Sequence, residues 1–129
     1  MTAEPILVVD DNPINLKLTR LLLASDGYTV MTAGDAEEAL TLVEEARPRL
    51  IFMDVQLPGL DGLELTRMLK SDPTTRDILI VALTAYAMTG DEERARMAGC
   101  DEYVTKPIDT HALSELTARL LQRSAERAA

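Results

Sequence analysis

Strand-like runs that stop on a polar residue recur along this chain. Ile6-Leu7-Val8-Val9 ends at Asp10 and Asp11, Leu50-Ile51-Phe52-Met53 at Asp54, and Ile78 to Leu83 at Thr84. Tyr103-Val104-Thr105 ends at Lys106 and Pro107, and the run from Tyr28 to Thr32 mixes polar with apolar positions. Short continuous apolar runs fit strands covered on both faces, whereas a mixed run suits an edge strand. Runs beginning near residues 6, 28, 50, 78 and 102 alternate with helical segments. That alternation predicts βαβ units, hence an α/β fold with a five-stranded parallel sheet. Parallel strands point one way, so the polar ends share a carboxyl edge, where open α/β sheets bind ligands.

Helix boundaries are marked by their caps. Asn12 followed by Pro13 opens the first helix, and Gly27 closes it. Asp35 with Glu38, and Thr89 with Glu92, have capping-box spacing at the second and fourth helices. Asp61 or Gly62 opens the third helix, and Asp109 or Thr110 opens the fifth. Past Leu121 the chain turns polar, and its end is expected to fray. In the first helix Ile14, Leu18, Leu21 and Leu22 form a stripe that reads as core-facing. Leu16 and Leu23 fall nearly opposite, where they read either as isolated surface leucines or as a docking stripe for a partner's helix. The fourth helix offers only Ala95, Met97 and Ala98 for burial, so its weak anchoring makes it a candidate for movement.

A length of 129 residues fits a single domain spanning 1–129, with no linker, repeat or output domain in view. The net charge of −9 argues against a nucleic-acid partner, whose phosphates call for a basic face. Cys100 has no second cysteine to pair with, the first residues carry no basic-then-apolar leader, and no apolar run reaches bilayer length. These features suit a soluble, cytoplasmic protein.

The carboxyl edge would gather three carboxylates, Asp10, Asp11 and Asp54, with the hydroxyl of Thr84 and the ammonium of Lys106. Crowded carboxylates repel one another and call for a cation. Mg²⁺ suits them, being a hard ion that takes one or two carboxylates and keeps several waters. One divalent ion and Lys106 cancel the three negative charges, so an incoming phosphoryl group would meet a neutral site. Asp54 stands alone at its strand end and is the candidate nucleophile for an aspartyl-phosphate, while the Asp10-Asp11 pair suits the metal. Lys106 supplies a compact charge, and Thr84 a hydroxyl, for the phosphoryl oxygens.

The stretches Val9-Asp-Asp-Asn12, Met53-Asp-Val-Gln-Leu-Pro-Gly59, Leu83-Thr-Ala85 and Tyr103-Val-Thr-Lys-Pro107 resemble the receiver domains of bacterial two-component response regulators. The resemblance covers essentially the whole chain. With Ala85 to Arg94, Gly99-Cys100 and Lys106-Pro107-Ile108, it is nearest to the DivK-type single-domain regulators. It implies a doubly wound, flavodoxin-like (CheY-like) (βα)5 fold with strand order 2-1-3-4-5. It implies Asp54 as phosphoacceptor, Asp11 and Asp54 as side-chain Mg²⁺ ligands, the Gln56 main-chain carbonyl as a third, and Asp10 acting through metal-bound water. Thr84 and Lys106 would bind the phosphoryl group, with a cis peptide before Pro107, and Tyr103 would be the aromatic that turns inward on activation. Gln56 and Tyr86, at variable positions, are candidates for setting the phosphoryl lifetime. The partners implied are a histidine kinase or histidine phosphotransfer protein, and a downstream protein meeting the fourth helix, fifth strand and fifth helix.

On this reading the chain is a phosphorylation-operated binding module rather than an enzyme, with a phosphate sink or shuttle in a phosphorelay as its alternative. A haloacid-dehalogenase-type phosphatase would share the Asp nucleophile, Mg²⁺ and Lys. Those enzymes place a second Asp two residues after the nucleophile, where this chain has Gln56. A flavodoxin-like electron carrier is disfavoured by 3% aromatic residues and no Trp, and no P-loop motif occurs.

Overall fold

The computed structural model describes residues 5–55, 57, 61–84, 91–105 and 109–128. Strands and helices alternate along the chain: β1 (Pro5–Val9), α1 (Pro13–Ser25), β2 (Thr29–Ala33), α2 (Ala36–Ala46), β3 (Leu50–Asp54) and α3 (Gly62–Ser71). The second half follows with β4 (Leu79–Thr84), α4 (Asp91–Ala98), β5 (Glu102–Thr105) and α5 (Thr110–Ala128). The sheet is parallel throughout, in the order β2-β1-β3-β4-β5. The strand order therefore reverses between β1 and β3, and a crevice opens at the carboxyl ends of that pair.

Successive side chains of a strand point to opposite faces, and here both faces are covered. Leu7, Val9, Ile51, Met53, Ile80 and Ala82 pack with residues of α2, α3 and α4. Ile6, Val8, Leu50, Phe52, Leu79, Val81 and Leu83 pack with residues of α1 and α5. Every residue of β3 and β4 is buried, whereas β2 and β5 lie at the edges and are only partly covered. Each large aliphatic side chain removed from water in this way contributes about 1.5–3 kcal/mol.

Side-chain caps hold the helix starts that face the carboxyl edge. Asn12 Oδ1 accepts the N–H groups of Ile14 (2.9 Å) and Asn15 (3.2 Å), with Pro13 where no donor is needed. Asp35 Oδ1 accepts the Glu38 N–H at 2.8 Å, and Glu38 Oε1 accepts the Gly34 N–H at 2.8 Å. The reciprocal bond thus reaches one residue further upstream than a capping box requires. Asp109, not Thr110, caps α5, accepting from His111 and Ala112. Thr89 lies outside the described residues.

At the opposite edge, Lys70 ties α3 to the start of the last two strands. Its Nζ donates to the carbonyls of Arg76 (3.2 Å) and Ile78 (2.7 Å) and to Asp101 Oδ2 (2.9 Å). The same Asp101 oxygen accepts the Ile80 N–H at 2.9 Å. Gly99, in the left-handed region at φ 108°, lets the Lys70 stem lie against the end of α4, where a Cβ would come 2.8 Å from Lys70 Cγ.

Three sequence expectations about helix faces need correction. Leu23 is fully buried and Leu16 packs partly buried against the α1–α5 core, so the proposed docking stripe of Leu16 and Leu23 is the inner face. Ile14, Leu18 and Leu21, expected inside, are 75%, 62% and 49% exposed. The inner stripe runs through the buried Thr19, and that polar residue makes it the less apolar of the two in sequence. Met97 is exposed, leaving Ala95 and Ala98 as the buried side chains of α4. The last helix runs on through the polar residues after Leu121 as far as Ala128.

Candidate functional site

The carboxyl edge assembles its site through register. Val9 pairs with Met53, so the next residues, Asp10 and Asp54, emerge side by side. Asp54 pairs with Leu83, and Thr84 with Thr105, which brings the ends of β4 and β5 to the same level. Asp10 is held on the sheet by its N–H, which donates to Ala33 O at 3.1 Å. Its Oδ1 accepts the Asn12 N–H at 3.0 Å, linking the carboxylate to the cap of α1.

Asp10 and Asp54 are buried, Asp11 is exposed, and one carboxylate oxygen from each lies within 4.8 Å of the others. The donors are all hard oxygens, and the exposed Asp11 leaves the cluster open to solvent. This set fits Mg²⁺, which favours oxygen ligands and retains water. An ion seated there would supply positive charge against three carboxylates and a phosphoryl group. The chain contributes the fixed ends of β1 and β3 that hold two of those carboxylates in place.

Thr84 is buried at the end of β4, on the same edge and one position beyond the partner of Asp54. Tyr103 is half-buried and packs against the core that contains Ala95 and Ala98 of α4. Lys106, Pro107, Gln56 and Tyr86 lie outside the described residues, and with them the ammonium, the cis peptide, the carbonyl ligand and the lifetime positions. The structure thus brings together Asp10, Asp11 and Asp54, and sets Thr84 on the same edge.

Sequence reasoning gave Gly62 no more than a place at a helix start. A Cβ there would overlap the carbonyl oxygen of Asp54 and come within 3.1 Å of the Asp54 carbonyl carbon and of Val55 Cα. The available signal was a glycine, a residue of low helix propensity, at the start of a helix.

Comparison with known proteins agrees with this geometry. The response regulator receiver domain matches residues 6–118. The polar-differentiation response regulator DivK of Brucella anthropi is 48% identical over 105 residues, covering 81% of this chain and 85% of that protein. A CheY-like response regulator receiver domain protein from Methanospirillum hungatei superposes with a TM-score of 0.91 at 28% identity, covering 98% of this chain and 99% of the other. The receiver domain of a sensor histidine kinase from Pseudomonas aeruginosa, with a magnesium ion coordinated in its active-site cleft, has a TM-score of 0.85 at 36% identity. It covers 94% of this chain and is itself covered to 99%. With the strand order, the clustered carboxylates and a relative identical at nearly half of the aligned positions, the chain belongs to the response regulator receiver domains of two-component signalling.

Proposed function

We propose that this chain accepts a phosphoryl group on Asp54 from a phosphohistidine of a kinase or phosphotransfer protein, and signals by binding another protein in that state. The observation that carries the reading is the grouping of Asp10, Asp11 and Asp54 within 4.8 Å at the sheet edge that also bears Thr84. In the transfer, a carboxylate oxygen of Asp54 bonds to phosphorus while the phosphorus–nitrogen bond of the donor breaks. The electron pair stays on the imidazole. Phosphoryl transfer needs little from a protein beyond positioning and charge neutralisation; this edge positions the carboxylates, and a bound Mg²⁺ would supply the neutralising charge. The magnesium reported in the Pseudomonas receiver domain supports the metal assignment.

With Mg²⁺ and acetyl phosphate the protein is expected to gain one acid-stable, base-labile phosphoryl group, read by intact mass. Asp54→Asn should gain none, and chelating the metal should abolish labelling of the native chain. Labelling of Asp54→Asn at the native rate would sink the assignment.

The donor must approach along the carboxyl edge, and α1 begins there, immediately after Asp10 and Asp11. Ile14, Leu18 and Leu21 leave an exposed apolar stripe on that helix at spacings of four and three, and the exposed Lys17 borders it. We assign this stripe, in place of Leu16 and Leu23, to docking the helical bundle that carries the donor histidine.

A further inference from the structure

Gly62 is the first residue of α3, and it lies against the backbone of the proposed acceptor. Its N–H donates to Val55 O at 3.1 Å, and the Val55 N–H donates to Leu83 O at 2.9 Å. Val55 is thereby gripped on both sides, its N–H by the end of β4 and its carbonyl by the start of α3. Thr66, fully buried, locks the helix side of this grip by donating its hydroxyl to Gly62 O at 2.9 Å. Asp61 caps the same turn, accepting the Leu63 N–H at 2.8 Å. A Cβ on Gly62 would run into the Asp54 carbonyl, a backbone group that has no rotamer by which to yield. Gly62 does not have a left-handed φ, so what this position demands is space rather than an unusual dihedral.

We propose that Gly62 is a positioning residue for the metal site. Its missing side chain lets α3 seat on the Asp54–Val55 peptide, and that seat fixes the end of β3 that presents the Asp54 carboxylate beside Asp10 and Asp11. The inference rests on reading Asp10, Asp11 and Asp54 as a Mg²⁺ site. Adding a methyl group forces the start of α3 to withdraw by about 1 Å, a displacement large enough to cost a preorganised site much of its function.

The test compares the native chain, Gly62→Ala and Gly34→Ala, the last being a control because a Cβ at Gly34 meets nothing within 4 Å. Calorimetry would give the Mg²⁺ affinity, acetyl phosphate labelling the Mg²⁺ needed for half-maximal rate, and circular dichroism the folded fraction. Gly62→Ala should require about tenfold more Mg²⁺ in both assays while remaining folded, the size of effect seen when groups supporting metal ligands are lost. Gly34→Ala should match the native chain. A folded Gly62→Ala that binds Mg²⁺ like the native chain would overturn the proposal. Failure of the underlying reading looks different, because the native chain itself would then neither bind Mg²⁺ nor label. If Gly62→Ala does not fold, amide exchange on the native chain decides. Mg²⁺ should slow exchange at Val55 and Gly62 by about tenfold while leaving Asp26 and Arg47 unchanged, and equal rates with and without metal would overturn the seat.

Discussion

Cys100 lies between α4 and β5, 8% exposed and close to Thr66, Lys70 and Asp101. Burial pushes its thiol up to about 11 from 9.0; the Asp101 charge adds to the rise, while a hydrogen bond with Thr66 and the Lys70 charge oppose it. The folded protein therefore keeps a proton that the unfolded chain sheds. The resulting stabilisation is complete below pH 9.0 and is lost as the pH rises through about 11. Its full size is on the order of 3 kcal/mol, since each tenfold difference in proton affinity between the folded and unfolded chain is worth about 1.4 kcal/mol. Cys100→Ala should accordingly lose less stability than the native chain between about pH 8 and pH 10.5 in denaturant titrations. Parallel losses would show that the thiol ionises as freely in the folded chain. Tyr28 is also raised, by burial and then by Asp26, and it weakens the fold in the same direction. Both chains in the comparison keep Tyr28, so its contribution cancels.

Helix α1 has apolar residues on two faces, and the packing decides which one is spent on the core. With Leu16, Thr19 and Leu23 turned inward, the outer stripe of Ile14, Leu18 and Leu21 remains available to a partner. Leu18→Asp should slow phosphotransfer from a cognate phosphohistidine donor by about tenfold or more, a loss typical of an anchor at an interface. Acetyl phosphate labelling should stay close to native, since that donor needs no docking surface. Equal loss with both donors would place the damage in the fold instead. Helix α4 illustrates the opposite economy. Ala95 and Ala98 bury little area, yet its end is secured by Gly99 against Lys70, with Asp101 held in the same clamp. A rearrangement of α4 should therefore pivot about its C-terminal end.

On the proposed reading of Asp54 as phosphoacceptor, a signal would run from Asp54 across β4 to β5 and α4. Phosphorylation of Asp54 would add charge and strong acceptor oxygens there, and Thr84 on the same edge is the hydroxyl suited to donate to them. Drawing Thr84 toward the phosphoryl group would open space for Tyr103, which shares its packing with Ala95 and Ala98 of α4. In the native chain, phosphorylation should change amide exchange along α4 by several-fold, a coupling within the usual range between two sites. Thr84→Ala should still take the phosphoryl group on Asp54 but leave α4 exchange near its unphosphorylated rate. A full α4 response in the phosphorylated mutant would remove Thr84 from the pathway.

Strand-ending Asp10, Asp11, Asp54 and Thr84 were readable from residue order alone. Continuous apolar runs define buried parallel strands, and parallel strands place their ends on a common edge. The caps at Asn12, Asp35 and Asp61 were legible for a similarly local reason, since each satisfies donors two or three residues away. What local order left open was every choice between two competing surfaces. The orientation of α1 depended on Thr19, a polar residue whose burial is set by the neighbouring sheet and α5 rather than by its own helix. Gly62 and Lys70 drew their importance from atoms distant in sequence or across a loop, the Asp54 carbonyl in one case and the Ile78 carbonyl and Asp101 carboxylate in the other. Periodicity reports how each segment divides its own residues between polar and apolar faces. Which face meets the core, and where a missing side chain is needed, follows from how the segments pack together.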